Sequence, residues 1–323
     1  MLAASVVAFD ADQPLNGLAV GDVPEPEAPD GWVTVSLAAA SLNHHDLWSL
    51  KGVGLRAEQL PMILGTDATA TDEAGARYVV HGVIGDPAAG GGDETFDPKR
   101  SLLSERFPGT LAERLSVPAR NLVPLPEVIG APAGACLPTA WLTAYRMLTT
   151  RGRLAAGETV LVQGAGGGVS TAAIVLAKAM GARVWVTGRD EAKRAHAVEL
   201  GADDAFESGA RLPERVDLVL ESVGEATWGH SLKALRPGGR VVICGATSGA
   251  NPPADLARVY FLQLSVIGST MGTREELVAL LDLCVDSGIR PTIDSTFALT
   301  DARDALARLA SGEAFGKVVV TAS

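Results

Sequence analysis

A cluster of glycines is the strongest chemical signal in this sequence. Four glycines occur within five positions, at Gly164, Gly166, Gly167 and Gly168. Glycine lets the backbone approach a pyrophosphate closely, and the N-terminus of a following helix offers free N–H groups and the positive end of its dipole. The cluster therefore predicts a phosphate-binding turn. The alternative is a glycine loop that only packs a helix on a sheet.

The elements around the glycines favour the binding interpretation. Thr159–Gln163 is a short apolar run typical of a buried parallel strand. Val169–Met180 is apolar and alanine-rich and stops at Gly181, which predicts a helix. Arg183–Thr187 predicts a second buried strand. Together they form a βαβ unit whose first turn contains the glycines.

The glycine spacing departs from the usual Gly-x-Gly-x-x-Gly pattern. The register that starts at Gly166 has Thr171 in the third glycine position, and the register that starts at Ala165 has Ser170 there. The strand, turn and helix follow one another in the order and spacing of a dinucleotide-binding unit. We predict that the pyrophosphate turn comprises Gly166, Gly167, Gly168, Val169 and Ser170.

The end of the second strand indicates which dinucleotide binds. An NAD site has an acidic residue there that bonds the ribose 2′-hydroxyl, whereas this chain has Gly188 followed by Arg189, with Lys193 nearby. These residues can accommodate and pair with a 2′-phosphate, which predicts NADP(H). The alternative is that both cations are ordinary solvated charges, diluted by Asp190 and Glu191.

Composition excludes several classes of protein. The chain has 323 residues, 47% of them hydrophobic, and a net charge of −11 without a basic patch, which argues against nucleic acid as a partner. Because no apolar run is long enough to span a membrane and the N-terminus lacks a basic signal region, we expect a cytoplasmic protein without a membrane partner. Cys136, Cys244 and Cys284 have no zinc-ligand spacing and are predicted to be buried thiols.

The predicted pattern of strands and helices changes twice along the chain. Residues 1–126 are β-rich, with a polar, glycine-rich segment at 85–109 that predicts a mobile loop. Residues 127–271 alternate strands and helices, which predicts an α/β fold with a doubly wound parallel sheet. Residues 272–323 no longer fit that unit, and we expect them to return to the first domain.

Several segments together resemble the medium-chain dehydrogenase/reductase superfamily, and most closely its zinc-free quinone oxidoreductase branch. They include LNHHDLW, LPMILGTD, LPTAWLTAY, VLVQGAGGGVSTAAIVLAKAMGARV, LRPGGRVVICGATSG and GKVVV. The resemblance implies a β-rich GroES-like catalytic domain formed by residues 1–126 and 272–323. It implies a Rossmann dinucleotide-binding domain at residues 127–271.

The chain departs from the zinc-containing members at their metal sites. Asn43 stands where those members have a catalytic cysteine, and Gly65-Thr66-Asp67 replaces their Gly-His-Glu motif. No cysteine occurs at 85–105, where their structural zinc lobe is expected. We therefore predict no metal site. His44, His45 and Asp46 are neighbours whose side chains point apart, so they do not make one either.

The resemblance implies reduction of a quinone, enone or similar activated alkene by hydride from NADPH without zinc. Asn43 is expected to donate a hydrogen bond to the substrate carbonyl or the nicotinamide ribose, Asp46 to orient its neighbours, and Trp48 to form an apolar wall. For Asn43 and Asp46 the alternative is capping of nearby backbone, and for Trp48 it is core packing.

The resemblance also carries over further cofactor contacts. These are Thr143, Ser222, Val223, Gly245, Ala246, Thr247, Ser269, Thr270 and Lys317. Lys317 is expected to approach the pyrophosphate, and its alternative is a surface lysine beside the last strand. The apolar segment 259–268 predicts a homodimer formed through an edge strand of the Rossmann domain.

Two other functions remain open from the sequence. One is zinc-free alcohol or aldehyde dehydrogenase chemistry, which the missing cysteine and Gly-His-Glu motif disfavour. The other is an NADPH-binding sensor protein with little turnover.

Overall fold

The computed structural model describes residues 1–322, which fold into two compact units. The first unit contains residues 1–142 and the chain from Met271 onward, and the second contains Thr143–Thr270. The sequence predicted the first boundary after residue 126. The structure places it later because the helical segment 131–141 packs on strands of the first unit's sheet.

The strands account for most of the first unit and for the centre of the second. In chain order they are β1 (Leu2–Val6), β2 (Leu18–Asp22), β3 (Trp32–Ser41), β4 (Met62–Ile63), β5 (Asp67–Thr71), β6 (Arg77–Val80), β7 (Val83–Ile84), β8 (Ser101–Leu102), β9 (Arg114–Pro118), β10 (Leu122–Pro124), β11 (Thr159–Gln163), β12 (Arg183–Gly188), β13 (Asp204–Glu207), β14 (Val216–Glu221), β15 (Leu235–Ile243), β16 (Ser265–Gly268), β17 (Ile293–Ala298) and β18 (Lys317–Thr321).

The α-helices are α1 (His44–Leu50), α2 (Ala131–Ala135), α3 (Leu142–Arg146), α4 (Gly168–Ala179), α5 (Glu191–Glu199), α6 (Glu225–Ala234), α7 (Leu256–Phe261), α8 (Arg274–Ser287) and α9 (Ala302–Ala310). Two π-helical turns, Leu137–Trp141 and Met147–Arg151, flank α3. The predicted helix over 131–149 is therefore present but wound unevenly. Local chemistry fixes other helix ends: Thr273 and Glu276 form a reciprocal capping box at the start of α8.

The second unit is built on a parallel six-stranded sheet in the order β13-β12-β11-β14-β15-β16. β11 lies in the middle and all five of its residues are buried, as its apolar sequence predicts. Counted from its own first strand the order is 3-2-1-4-5-6, the order of doubly wound dinucleotide-binding sheets. The predicted α/β fold class is confirmed. In such sheets, ligands bind at the carboxyl ends of the strands.

The first unit is built mainly on a seven-stranded mixed sheet organised around β3. β3 pairs antiparallel with β5 and β18, and the two registers set Ser41 opposite Asp67 on one side and opposite Val319 on the other. The end of β3 is thus flanked by strands that come from distant parts of the chain. A three-stranded sheet of β2, β1 and β4 completes this β-rich unit.

Each unit has its own apolar core. The first core includes Leu50, Leu64 and Leu306, and the second includes Leu161 and Leu235, all with no exposed surface. Burying each such side chain contributes about 1.5–3 kcal/mol to folding. None of the helices in residues 1–322 is long and apolar enough to cross a membrane.

The segment 85–109 is more firmly held than its composition predicted. Glu94 is fully buried and accepts a hydrogen bond from the Arg274 backbone N–H at 2.8 Å. Asp97 accepts backbone hydrogen bonds from Asp86 and Lys99, each at 2.8 Å. Most of the segment is irregular, as predicted, but Glu94 attaches it to the rest of the unit and Asp97 joins two of its own turns.

Candidate active site

The predicted pyrophosphate turn lies between β11 and α4. Gly164 has a φ of +93°, in the left-handed region that favours glycine. Gly167 is the N-cap residue of α4, and no side chain in residues 1–322 caps this helix. Its N-terminal N–H groups are therefore available to a phosphate, and the helix dipole adds partial positive charge.

The end of β12 lies against this turn. A Cβ atom on Gly166 would lie 2.7 Å from Cδ of Lys193, and one on Gly188 would lie 2.9 Å from Cβ of Ala165. The close contact at Gly188 requires glycine, because the Ala165 Cβ cannot move aside, whereas at Gly166 the flexible Lys193 side chain would have to shift. Lys193 thus places its aliphatic stem beside the glycine turn, and Arg189 is exposed at the strand end.

Arg194 is a residue at this edge that the sequence analysis missed. Its guanidinium donates to the carbonyl groups of Gly188 at 2.8 Å and Arg189 at 3.1 Å. The carboxylate of Asp190 accepts from the Lys193 N–H at 2.9 Å and caps α5. Asp190 is therefore engaged with the backbone. Together these features fit a dinucleotide that carries a 2′-phosphate.

The other predicted cofactor contacts also follow strand ends of this sheet or lie beside them. The Ser248 N–H donates to the carbonyl of Val223 at 2.8 Å, and Ser269 N–H donates to the carbonyl of Ile243 at 2.8 Å. Thr143 is nearly buried in α3. Gly188 ends β12, and Gly168, Val169 and Ser170 form the first turn of α4. The loops after β11, β12, β14, β15 and β16 hold the others: Gly166, Gly167, Arg189, Ser222, Val223, Gly245, Ala246, Thr247, Ser269 and Thr270.

A buried carboxylate beneath these loops had no counterpart in the sequence analysis. Glu221 is fully buried at the end of β14 and accepts from the N–H groups of Val223 and Gly224 at 2.8 and 3.0 Å. The hydroxyl groups of Thr227 and Ser231 also donate to it, at 2.9 and 2.6 Å. These bonds fix the loop that contains Ser222 and Val223, two of the predicted contacts.

The first unit contains a second buried polar cluster, at the end of β3. Asp67 Oδ2 accepts from the Ser41 hydroxyl at 2.7 Å and from Asn43 Nδ2 at 2.9 Å. The Lys317 ammonium donates to the Leu42 carbonyl at 2.6 Å, to Asn43 Oδ1 at 2.5 Å and to Asp67 Oδ2 at 3.4 Å. Asp67 and Lys317 are 0% and 3% exposed.

Lys317 therefore lies in neither of the two places that the sequence predicted, the protein surface and the pyrophosphate site. It is not a surface lysine, and its ammonium is fully engaged with Asn43, Leu42 and Asp67 within the first unit. The physical reason is strand register: Val319 lies opposite Ser41, so Lys317 comes opposite Asn43 two residues further on. The predicted contact of Lys317 with the pyrophosphate is not supported by this placement.

The side chains of Asn43 and Asp46 already form hydrogen bonds to neighbouring groups. Asn43 Nδ2 donates both to Asp67 Oδ2 and to Thr66 Oγ1, the latter at 3.2 Å, which occupies its two hydrogens. Asp46 accepts from the N–H groups of Asn43 and Gly65 at 2.8 and 2.9 Å. Burial raises the pKa of Asp46. The backbone-capping alternative therefore describes Asp46, and donation by Asn43 to a substrate would require this network to open.

Trp48 is 38% exposed, so it is not a core residue, and its nearest ring is that of His44, with centroids 6.5 Å apart.

His45 Nε2 lies 3.4 Å from Glu105 Oε1. Burial lowers the pKa of His45, but the hydrogen bond to Glu105 and nearby carboxylates outweigh it and raise that pKa. The two histidines thus turn to different neighbours.

The residues present do not fit the zinc site of the related enzymes. Within residues 1–322, no three His, Cys, Asp or Glu side chains are placed to hold a metal ion. At the positions compared above with the catalytic cysteine and the Gly-His-Glu motif stand the Asn43 amide, the Thr66 hydroxyl and the Asp67 carboxylate, with the Lys317 ammonium bonded to two of them. The thiols do not substitute: burial raises the pKa of Cys136 to about 12.

The fold and the glycine turn define a dinucleotide-binding oxidoreductase, and comparison with known protein families agrees. Residues 29–127 match the alcohol dehydrogenase GroES-like domain, and residues 168–286 match the zinc-binding dehydrogenase domain. The chain belongs to the medium-chain dehydrogenase/reductase superfamily, as its sequence predicted, and is therefore an NAD(P)-dependent oxidoreductase.

Relatives of known structure or activity share the whole length of the chain. The acryloyl-coenzyme A reductase of Metallosphaera sedula is 30% identical, over 95% of this chain and 97% of that protein. An NAD-dependent alcohol dehydrogenase structure is 31% identical with a TM-score of 0.91, over 100% of both chains. The 2-octenoyl-CoA carboxylase reductase CinF, solved with NADP and 2-octenoyl-CoA, is 25% identical with a TM-score of 0.92, over 99% of this chain and 87% of that chain.

Proposed function

We propose that this chain is an NADPH-dependent reductase of alkenes activated by a conjugated carbonyl group, such as enoyl thioesters and enones. The observation that carries the proposal is the full-length similarity to an acryloyl-coenzyme A reductase. The reaction adds one hydride and one proton across the C=C bond. NADPH supplies the hydride when bound, and the adjacent carbonyl accepts the electron pair that leaves the double bond.

The second unit supports the choice of cofactor. The uncapped N-terminus of α4 receives the pyrophosphate, and the Gly166 and Gly188 positions allow close approach of the backbone. Arg189 and Lys193 supply positive charge to the 2′-phosphate, where an NAD site would carry a carboxylate.

A panel of acceptors tests the proposed reaction. NADPH oxidation is followed with acryloyl-CoA, crotonyl-CoA, a cyclic enone, a benzoquinone and a simple aldehyde. We expect turnover with the conjugated thioesters, the enone and the benzoquinone, and none with the aldehyde. NADPH binding without turnover on any acceptor would favour a sensor protein instead.

A zinc-free alcohol or aldehyde dehydrogenase is the second candidate, because the alcohol dehydrogenase structure is 31% identical to this chain. Oxidation of primary and secondary alcohols with NAD and NADP separates the two. If an alcohol is turned over faster than any alkene is reduced, the second candidate replaces the first.

Arg189→Ala tests the cofactor. Loss of a charge-assisted contact to phosphate costs about 1.5–3 kcal/mol, so NADPH affinity is expected to fall about ten- to a hundredfold, with NADH affinity unchanged. Arg211→Ala, an exposed arginine of the same unit, is the matched control. Equal affinities of the unmodified protein for NADPH and NADH would contradict the role of Arg189.

We also propose that the chain forms a homodimer through β16, which is the edge strand of the six-stranded sheet. Apolar side chains are exposed on and beside it: Leu256 at 70%, Tyr260 at 71%, Phe261 at 80% and Val266 at 48%. Val266→Lys should convert the dimer to a monomer in light scattering. Val198→Lys, at a valine 45% exposed on α5, is the control and should leave the dimer intact.

A further inference from the structure

The buried polar cluster of the first unit extends beyond Asn43 to two threonine hydroxyl groups. Asn43 Nδ2 donates to Thr66 Oγ1 at 3.2 Å, and Thr66 Oγ1 lies 3.0 Å from Thr139 Oγ1. Thr66 has no exposed surface, whereas Thr139 is only half-buried. Thr139 is therefore the most exposed side chain in this series of hydrogen bonds.

The direction of these hydrogen bonds follows from Lys317. An ammonium group only donates, so the atom of the Asn43 amide that lies 2.5 Å from it must be the acceptor Oδ1. Nδ2 is then the atom that faces Asp67 and Thr66, and each of these residues accepts one of its two hydrogens. Thr66 Oγ1 is consequently an acceptor towards Asn43.

The Thr66 hydroxyl must place its own hydrogen elsewhere. A buried hydroxyl hydrogen needs an acceptor, and within residues 1–322 the acceptor at hydrogen-bond distance is Thr139 Oγ1. Thr139 therefore accepts from Thr66, and no group in the described part of the chain accepts the Thr139 hydrogen. By contrast, the Thr149 hydroxyl, in the second π-helical turn, donates to the Tyr145 carbonyl at 2.7 Å.

Thr139 is placed by the first π-helical turn, Leu137–Trp141. Turns of this kind are rare and occur frequently at functional sites. Thr139 is also close in sequence to Thr143, a predicted cofactor contact. A half-buried hydroxyl with a free hydrogen suits an acceptor oxygen on a ligand. In an activated alkene that oxygen is the carbonyl oxygen, where negative charge develops as hydride adds to the double bond.

We propose that the Thr139 hydroxyl binds the carbonyl oxygen of the substrate and stabilises the enolate that forms during hydride addition. This inference rests on the proposed function for the identity of the substrate. The hydrogen bonds that run from Lys317 through Asn43 and Thr66 fix the direction of the donor and polarise it. Asn43 thus supports the donor instead of contacting the substrate. Thr139 donates a hydrogen bond and keeps its proton.

Thr139→Val and Thr139→Ser test the donor, because valine has the shape of threonine without the hydroxyl and serine keeps the hydroxyl. With crotonyl-CoA, we expect kcat to fall about a hundredfold in Thr139→Val, with KM and NADPH affinity little changed. Thr139→Ser should stay near the unmodified protein. Thr149→Val is the matched control, since the Thr149 hydroxyl bonds to its own helix, and it should leave all three quantities unchanged.

A chromophoric ligand separates binding from turnover. Cinnamoyl-CoA is added together with NADP⁺, which has no hydride to give, and its absorption moves to longer wavelength when its carbonyl accepts a hydrogen bond. We expect this shift with the unmodified protein and with Thr139→Ser, and its loss in Thr139→Val. Thr139→Ala replaces Thr139→Val if the valine variant does not fold by circular dichroism.

The two measurements keep this inference apart from the proposed function. A shift that depends on Thr139, without reduction of any activated alkene, would overturn the proposed function and support carbonyl binding by Thr139. Reduction of crotonyl-CoA with kcat and the shift unchanged in Thr139→Val would overturn the role of Thr139 and leave the proposed function standing. Absence of the shift with the unmodified protein would also overturn the role of Thr139.

Discussion

Glu221 and Asp67 are both fully buried carboxylates at the ends of strands, yet the two units stabilise them differently. Both oxygens of Glu221 accept hydrogen bonds, all from neutral groups within ten residues of it: Val223, Gly224, Thr227 and Ser231. Asp67 places three donors on one oxygen, and its Oδ1 has no hydrogen-bond partner in residues 1–322.

The difference lies in where the compensating charge comes from. Local dipoles surround Glu221, so its environment forms together with the loop it holds. Asp67 depends on Lys317, which is 250 residues away in sequence and arrives only when β18 pairs with β3. The Asp67 site therefore requires correct assembly of the first unit's sheet. The Glu221 site requires mainly one strand, its loop and one helix.

Removal of the cation should have the largest effect. Lys317→Met leaves a buried carboxylate without its counter-ion, and we expect a loss of about 3–5 kcal/mol in the stability of the first unit. Hydrogen exchange of peptides from β3, β5 and β18 measures that unit separately. Lys317→Met combined with Asp67→Asn should lose less than the sum of the two single variants. Additive losses would contradict a paired site.

Changes at Glu221 should show that its charge matters less than its hydrogen bonds. Glu221→Ala leaves two backbone N–H groups and two hydroxyl groups unpaired, and we expect a loss of about 2–4 kcal/mol. Glu221→Gln keeps an acceptor for the N–H groups and should cost no more than about 1 kcal/mol. The same exchange experiment on peptides of β14 and α6 measures both, with Glu199→Ala on α5 as an exposed control. If Gln costs as much as Ala, the charge itself is required.

The contrast between the carboxylates also explains how much the sequence could predict. The parallel sheet, the glycine turn and the strand ends follow from local apolar runs and turn residues, and the structure confirms the α/β fold they imply. The glycine turn and the end of the second strand could be assigned to one cofactor because both belong to one βαβ unit. NADP(H) was predicted from Gly188 and Arg189 in the same way, and the solved relative CinF binds NADP.

The polar clusters could not be predicted because their partners meet only in three dimensions. Lys317 was predicted to be a surface or phosphate-binding lysine. No residue near it in sequence shows that β3 brings Asn43 opposite it. Glu221 stood at a strand end and resembled an ordinary acidic residue. The segment 85–109 read as mobile because composition does not show that Glu94 is buried against Arg274.

A third carboxylate, partly open to solvent, should give the smallest effect and complete the series. Asp294 accepts from Arg308 Nε and Nη2, both at 3.0 Å, and from the Phe315 N–H at 3.0 Å. The Arg308 hydrogen bonds lower the pKa of Asp294 to about 2, from an ordinary value of 3.8. Since the folded-state pKa is the lower one, this stabilisation is present above about pH 4 and is lost as the pH falls towards about 2.

Because solvent screens the Asp294–Arg308 pair, we expect it to contribute no more than about 1 kcal/mol. Asp294→Asn should therefore lower the melting temperature slightly above pH 4 and leave it nearly unchanged near pH 2. Asp286→Asn, at an exposed position on α8, should show no such difference between the two pH values. A pH-independent loss for Asp294→Asn would mean that hydrogen-bond geometry, and not the charge, holds β17 to α9. That would make Asp294 resemble Glu221 and leave Asp67 as the carboxylate that needs a cation.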